Sequence, residues 1–209
     1  MALVTHVASP ERWPDVEALF GERGACGGCW CMVWRHPRKV FEAGKGLTNK
    51  DLLRELVHGD RPPGVLGYHG RDPVGWCAVA PRTEYGFLSR SRVLAPVDDK
   101  PVWSVSCLFI EKKHRRQGLS VDMLKAAVAL AVEYGATTVE GYPIDPATGR
   151  SPDAFVWTGL LNAFLAAGFV EVARRSETRP IVRYIVGSNR ANRSIGAGEL
   201  FQQSHHAAG

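Results

Sequence analysis

Apolar positions along the chain follow two rhythms, a period of two that predicts strands and a period near 3.6 that predicts helices. Leu3 to Ala8 reads as a first strand, closed by Ser9-Pro10. Trp13 to Arg23 reads as a helix with Trp13, Val16, Leu19 and Phe20 on one side, and Gly24 stops it. Leu47 to Val57 predicts a second helix, with Thr48 or Asn49 placed as its cap and Asp51 at its positive end. Val65 to His69 and Val74 to Ala80 are β-rich runs, and Gly70-Arg71-Asp72-Pro73 between them predicts a hairpin turn. Pro81 to Lys100 has no period and reads as a long loop carrying Arg82, Arg90 and Arg92, with Glu84 and Tyr85.

The strongest pattern lies between Val102 and Tyr134. Val102 to Ile110 is a β-branched and aromatic run too short for a core helix. Glu111 to Gly118 is a turn holding Lys112, Lys113, His114, Arg115 and Arg116. Leu119 to Tyr134 is an amphipathic helix with Leu124, Ala127, Val128, Ala131 and Val132 on one face. The first turn of a helix has N–H groups without partners and a positive dipole end. Gly118 leaves room for an approaching phosphate oxygen, and the arginines and lysines add charge. Strand, basic turn and helix together predict a cradle for a pyrophosphate.

Further along, Thr138 to Ile144 reads as a strand and Asp145 to Asp153 as a polar turn. Thr158 to Ala167 reads as a short helix closed by Gly168. Phe169 to Ala173 and Pro180 to Val186 are the last pair of strands. This order predicts one domain over residues 1–187 and a flexible tail over 188–209. The 209 residues, 45% of them apolar, suffice for one buried core. No run approaches the roughly 18 apolar residues of a membrane span, and the N-terminus has no secretory pattern. Five cysteines, three of them between Cys26 and Cys31, do not form a secreted disulfide framework and point to the cytoplasm. The net charge of +5 is spread along the chain, which permits nucleic-acid binding without indicating it. Neither a G-x-x-x-x-G-K-[ST] loop nor a G-x-G-x-x-G after a strand occurs.

Arg115-Arg116-Gln117-Gly118-Leu119-Ser120 resembles the Q/R-x-x-G-x-G/A signature of the GNAT acetyltransferase superfamily, in its bacterial branches, with Ser120 where glycine or alanine is usual. By element order the resemblance extends from Leu3 to about Gly187. It implies an α/β (α+β) fold with a mixed, mostly antiparallel sheet, splayed between its fourth and fifth strands and flanked by helices. It further implies that Arg115, Arg116, Gln117, Gly118, Leu119, Ser120 and Val121 hold the diphosphate of acetyl-CoA. The strand residues Leu108, Phe109 and Ile110 would serve the pantetheine arm and the oxyanion. Pro143 suits the splayed strand.

The same resemblance places the acceptor wall after the first helix, at Trp30, Cys31 and Arg35, with Met32 and Trp34. Ser104 stands where some members carry a strand glutamate, and Phe164 where many carry an acidic tyrosine. Tyr142 falls where others place a catalytic glutamate, and is the first candidate for a polar role. Ser104 and Ser106 share a strand face and could relay a proton through water; Glu84 and Glu140 are secondary candidates for the base. Strict alternation sets Cys107 on the opposite face.

The reading is an acetyl-CoA-dependent N-acetyltransferase acting by direct transfer on a primary amine, that of a small molecule before that of a protein. No metal, nucleic acid or membrane partner is expected, and a homodimer is compatible with the exposed strand edges. Two alternatives stay open. One is a non-catalytic acyl-CoA-binding module, in which Phe164 and Ser104 mark lost chemistry. The other is a zinc-stabilised interaction protein built on Cys26, Cys29, Cys31 and His36.

Overall fold

The computed structural model describes residues 3–148 and 156–187. Part of the expected turn over 145–153 and the whole tail from 188 lie outside the described residues. Seven strands form one sheet: β1 (Val4–Val7), β2 (Gly64–His69), β3 (Asp72–Pro81), β4 (Trp103–Ile110), β5 (Thr138–Gly141), β6 (Val170–Arg174) and β7 (Pro180–Ile185). Their order is β1-β2-β3-β4-β5-β7-β6, and every neighbouring pair is antiparallel except β4 with β5. The described helices are α1 (Trp13–Phe20), α2 (Arg38–Ala43), α3 (Leu47–Val57), α4 (Gly86–Arg90), α5 (Leu119–Glu133) and α6 (Leu161–Ala166).

The sheet is covered on both faces. Val105, Leu108 and Ile110 of β4 pack with Met123, Leu124 and Ala127 of α5 and with Phe164 of α6. On the other face, Trp76 and Cys107 meet Trp13, Phe20, Trp30 and Leu53. A third cluster gathers Trp34, Tyr85, Leu88 and Tyr142 beside the fork between β4 and β5. Each large apolar side chain buried in these layers contributes about 1.5–3 kcal/mol.

Several local features depart from the sequence pattern. Helix α3 starts after Gly46 with no side-chain cap. Asn49, expected as a candidate cap, lies inside the helix, where its Nδ2 donates to the carbonyls of Gly28 and Phe41 at 3.3 Å. The helices α2 and α4 were not anticipated; at six and five residues they are too short to show a helical period. The expected helix from Thr158 begins only at Leu161, because Leu160 is extended and makes an isolated bridge to Ile144.

Strand β4 carries a bulge. Its pairing with β3 passes from Val79↔Val105 to Ala78↔Cys107, which leaves Ser106 as the extra residue. Val105 therefore packs beneath α5 while Cys107 joins the layer with Trp76 and Cys31. The bulge overturns the alternation argument that separated Cys107 from the serine face.

Candidate active site

The parallel pair β4–β5 is held at two positions, Trp103↔Val139 and Ser104↔Glu140, and then separates. β4 continues to Ile110, whereas β5 ends at Gly141. Gly141 is required where the fork opens, since a Cβ there would stand 2.1 Å from Cε1 of Phe164. The segment 157–160 lies inside the fork. Leu108 N–H donates to the Trp157 carbonyl at 2.7 Å, Ile144 N–H to Gly159 O at 2.9 Å, and Leu160 bridges Ile144 in parallel.

Beyond the open end of the fork the chain turns into α5. Lys112–His114 form one 3-10 turn, Arg116 takes a left-handed φ of 63°, and Gly118 takes a φ of 80° as the N-cap. No side chain caps α5, and a Cβ at Gly118 would meet no atom within 4 Å. The helix start thus faces open space. Arg115 reaches back, its Nε donating to Ile110 O at 3.0 Å. Gln117 Nε2 donates to Lys113 O, and Leu119 is buried beneath the turn. Val121 N–H already donates to Gly118 O at 2.9 Å, so Val121 shapes the turn and its N–H is not open to a ligand.

Backbone alternation sorts the three β4 residues expected on the fork. Glu111 N–H donates to Val74 O of β3, and Leu108 N–H points the other way. The backbone groups of Leu108 and Ile110 therefore face the fork. Those of Phe109, opposite Trp76, point like Glu111 N–H to the β3 side, and its ring packs against Phe20 at 5.9 Å.

A buried polar network closes the narrow end of the fork. Tyr142 Oη donates to Glu140 Oε2 at 2.7 Å, lies 2.8 Å from Ser104 Oγ, and accepts from Arg82 Nη1 at 2.5 Å. Arg183 Nε donates to Glu140 Oε1 at 2.9 Å, and its two terminal nitrogens clasp Asp98. Burial, then the Glu140 charge, push the Tyr142 hydroxyl up, so it keeps its proton. Glu140 is 1% exposed and fully engaged; Glu84 is held by Arg35 and Arg61. Neither carboxylate stands free to act as a base.

Ser106 and Ser104 do not form the relay expected of them. Ser104 is bound to Tyr142, while the bulge turns Ser106 toward Tyr85. Ser106 Oγ and Tyr85 Oη are both buried, and neither completes a hydrogen bond of good geometry among the described residues. Burial pushes the Tyr85 hydroxyl up, against the pull of the Arg35 guanidinium lying over its ring at 4.9 Å. No sequence spacing links Tyr85 to Ser106; only the bulge brings them together.

A groove of about 780 Å³ adjoins the fork. Trp34, Phe87 and Trp157 form its aromatic wall, with Trp34 stacked on Phe87 at 5.3 Å and edge-on to Tyr142 at 5.5 Å. Three residues expected on the acceptor side, Trp30, Cys31 and Arg35, do not line this groove. Trp30 packs among Trp13 and Phe20, and Cys31 is buried with its sulfur accepting from Trp76 Nε1 at 3.1 Å. Arg35 is folded over Tyr85 and bound to Glu84. The segment reaches the groove one step later, through Val33, Trp34, His36 and Arg38. The left-handed φ values of Trp30 (42°) and Cys31 (58°) turn these two side chains inward.

The other cysteines also separate. Cys26 is exposed and Cys29 half-buried, its thiol donating to Gly24 O and pushed up to about 11 by burial. Among the described residues, no three His, Cys, Asp or Glu side chains are grouped to hold a metal ion.

The sequence matches the Acetyltransferase (GNAT) family over residues 30–143, more than half of the chain. The chain belongs to the GNAT acetyltransferase family. The matched region runs from the start of the groove wall through β4, the uncapped helix and β5. Solved structures share this GNAT fold. A mosquito arylalkylamine N-acetyltransferase like 5b superposes with a TM-score of 0.55 at 12% identity, covering 88% of this chain and 100% of that one. A GNAT-family acetyltransferase of Streptococcus agalactiae gives 0.52 at 12% identity, over 88% and 95%. The GNAT domain of S. lividans PAT gives 0.51 at 12% identity, over 87% and 89%. At these identities the likeness is one of fold. No curated protein matches the sequence. No described helix is long and apolar enough to cross a membrane.

Proposed function

We propose that this GNAT protein is an acetyl-CoA-dependent N-acetyltransferase acting directly on a primary amine of a small molecule. One observation carries the reading: the fork between β4 and β5 runs from an uncapped helix start to an aromatic groove. The diphosphate is held at the open start of α5 by the N–H groups of Gly118 to Ser120, with Arg116 adding charge. The pantetheine arm follows the fork-facing backbone of Ile110 and Leu108, and the amine enters from the groove.

The amine nitrogen attacks the thioester carbonyl carbon. A C–N bond forms, the oxygen takes the electron pair, and then the C–S bond breaks and releases the thiolate. Leu108 N–H is the donor placed for the oxyanion once Trp157 O gives it up. The proton shed by the amine passes to solvent water by way of Ser106 and Tyr85, each hydroxyl giving up its own proton as it takes one, since both have capacity to spare. Phe164 has no proton to give, so the thiolate is protonated by solvent. Tyr142 and Ser104 brace the fork rather than exchange protons with substrate. All five cysteines are free thiols, which supports a cytoplasmic setting.

The test is calorimetric titration with acetyl-CoA. Gly118→Asp puts a carboxylate at the helix start, and affinity should fall about 100-fold or more. Since φ at Gly118 is left-handed, Arg116→Ala serves as a second variant with the backbone unchanged, expected to weaken binding about tenfold. Absence of binding by the wild type overturns the reading. The second reading, an acyl-CoA-binding module without catalysis, is favoured by the missing hydroxyl at Phe164. Release of free thiol with a panel of amines separates the two.

A further inference from the structure

The groove holds more positive charge than the protein answers. Of its described lining residues, Arg38, Arg90 and Arg179 are cationic, and Glu42 is the sole carboxylate. Glu42 is already held by Lys45 at 2.5 Å. None of the three arginines meets a carboxylate among the described residues. Five arginines outside the groove, Arg35, Arg61, Arg82, Arg174 and Arg183, each contact at least one.

Arg179 is the telling member. Its guanidinium is partly withdrawn from water, which lowers its proton affinity, yet among the described residues its side-chain contact is the weak one to Thr158 Oγ1 at 3.4 Å. A desolvated guanidinium without an anion is unfavourable, and a planar fork of N–H donors matches a carboxylate. The three arginines come from three parts of the chain: α2, α4 and the turn between β6 and β7. The rings of Trp34, Phe87 and Trp157 line the same groove. Its lining therefore combines flat apolar rings with cations.

We propose that the acceptor is an amine that also bears a carboxylate on an aromatic or flat apolar body, the carboxylate held by Arg179 and Arg90. The proposal rests on the acetyltransferase reading, and narrows its substrate class. An amine without the anion leaves Arg179 unanswered and is the poorer acceptor. An acceptor with a second ammonium is repelled.

Two measurements test this. The first compares matched amines by thiol release: 4-(aminomethyl)benzoate against benzylamine, and tryptophan against tryptamine. At least one carboxylate member should exceed its neutral partner about tenfold or more in kcat/KM. Arg179→Gln should bring the pair near parity, and Arg179→Lys should restore part of the preference. Arg90→Gln, on an exposed side chain, should lower the preference without risk to folding. Equal or better turnover of both neutral amines, or an unchanged ratio in Arg179→Gln and Arg90→Gln, overturns the proposal. The second measurement needs no catalysis: indole-3-acetate and 3-methylindole are titrated against the full chain by calorimetry. Binding of the acid alone, abolished in Arg179→Gln, supports the carboxylate site even if acetyl-CoA fails to bind. Equal binding of both probes, or of neither, overturns it.

Discussion

A carboxylate buried to 1% exposure needs its lone pairs answered, and at Glu140 two arginines and a tyrosine do so. Removing one partner from such a cluster leaves buried charge uncompensated. Glu140→Gln should therefore cost about 3–5 kcal/mol in denaturant unfolding. Tyr142→Phe leaves the Ser104 and Arg82 donors short of an acceptor and should cost about 1–3 kcal/mol. A loss below about 1 kcal/mol in both would show that the network does not brace the fork. The outer end of the network gives a pH signature. Arg183 beside Asp98 holds that carboxyl down at about 2, below its unfolded value of about 4. A depressed carboxyl stabilises the fold above the unfolded pKa and loses that contribution as pH falls through the folded one. Stability of the wild type should decline between about pH 4 and pH 2, and Asp98→Asn should flatten that part of the curve. Melting temperatures of the two proteins across this window, if parallel, would refute the linkage.

At the scale of elements, the fork between β4 and β5 is already lined by the chain itself. Trp157 O occupies the Leu108 N–H that acyl transfer would use, and Gly159 and Leu160 hold the continuation of β5 through Ile144. Coenzyme binding should break the Leu108 bond. In the free protein the Leu108 amide should exchange slowly with solvent deuterium, and its NMR resonance should shift on adding acetyl-CoA. An amide that stays unshifted at saturation would place the pantetheine elsewhere. How legible these elements were varied with their length. Helix α5 reads clearly from sequence because fifteen residues give a complete apolar stripe. Helix α4 does not, because five residues make little more than one turn. The Ser106 bulge is equally silent. It depends on how β3 and β4 register, and inserts one residue without any residue type that demands it.

Across the whole molecule, the groove is assembled from segments far apart in the chain: 33–42, 87–94, Trp157 and 176–179. No spacing in the sequence connects Arg38 with Arg179, and no motif marks either. The loop proposed for the coenzyme is the opposite case. Basic turn, Gly118 and helix start are contiguous, so the proposed cradle is written in one stretch and needs no distant partner. The acceptor wall lies between these extremes. The segment after α1 was identifiable, but which of its side chains reach the groove was set by the left-handed residues Trp30 and Cys31, which turn Trp30 into the core, whereas Trp34, itself buried, backs the groove wall. Local pattern thus determined the strand, the uncapped helix and the family, because each follows from neighbouring residues and their periodicity. Tertiary packing alone decided that Tyr142, Glu140, Arg82 and Arg183 share one buried network, that Ser106 faces Tyr85, and that three groove arginines meet no carboxylate among the described residues. Those outcomes depend on which distant groups desolvate one another, and a linear pattern does not encode desolvation between distant segments.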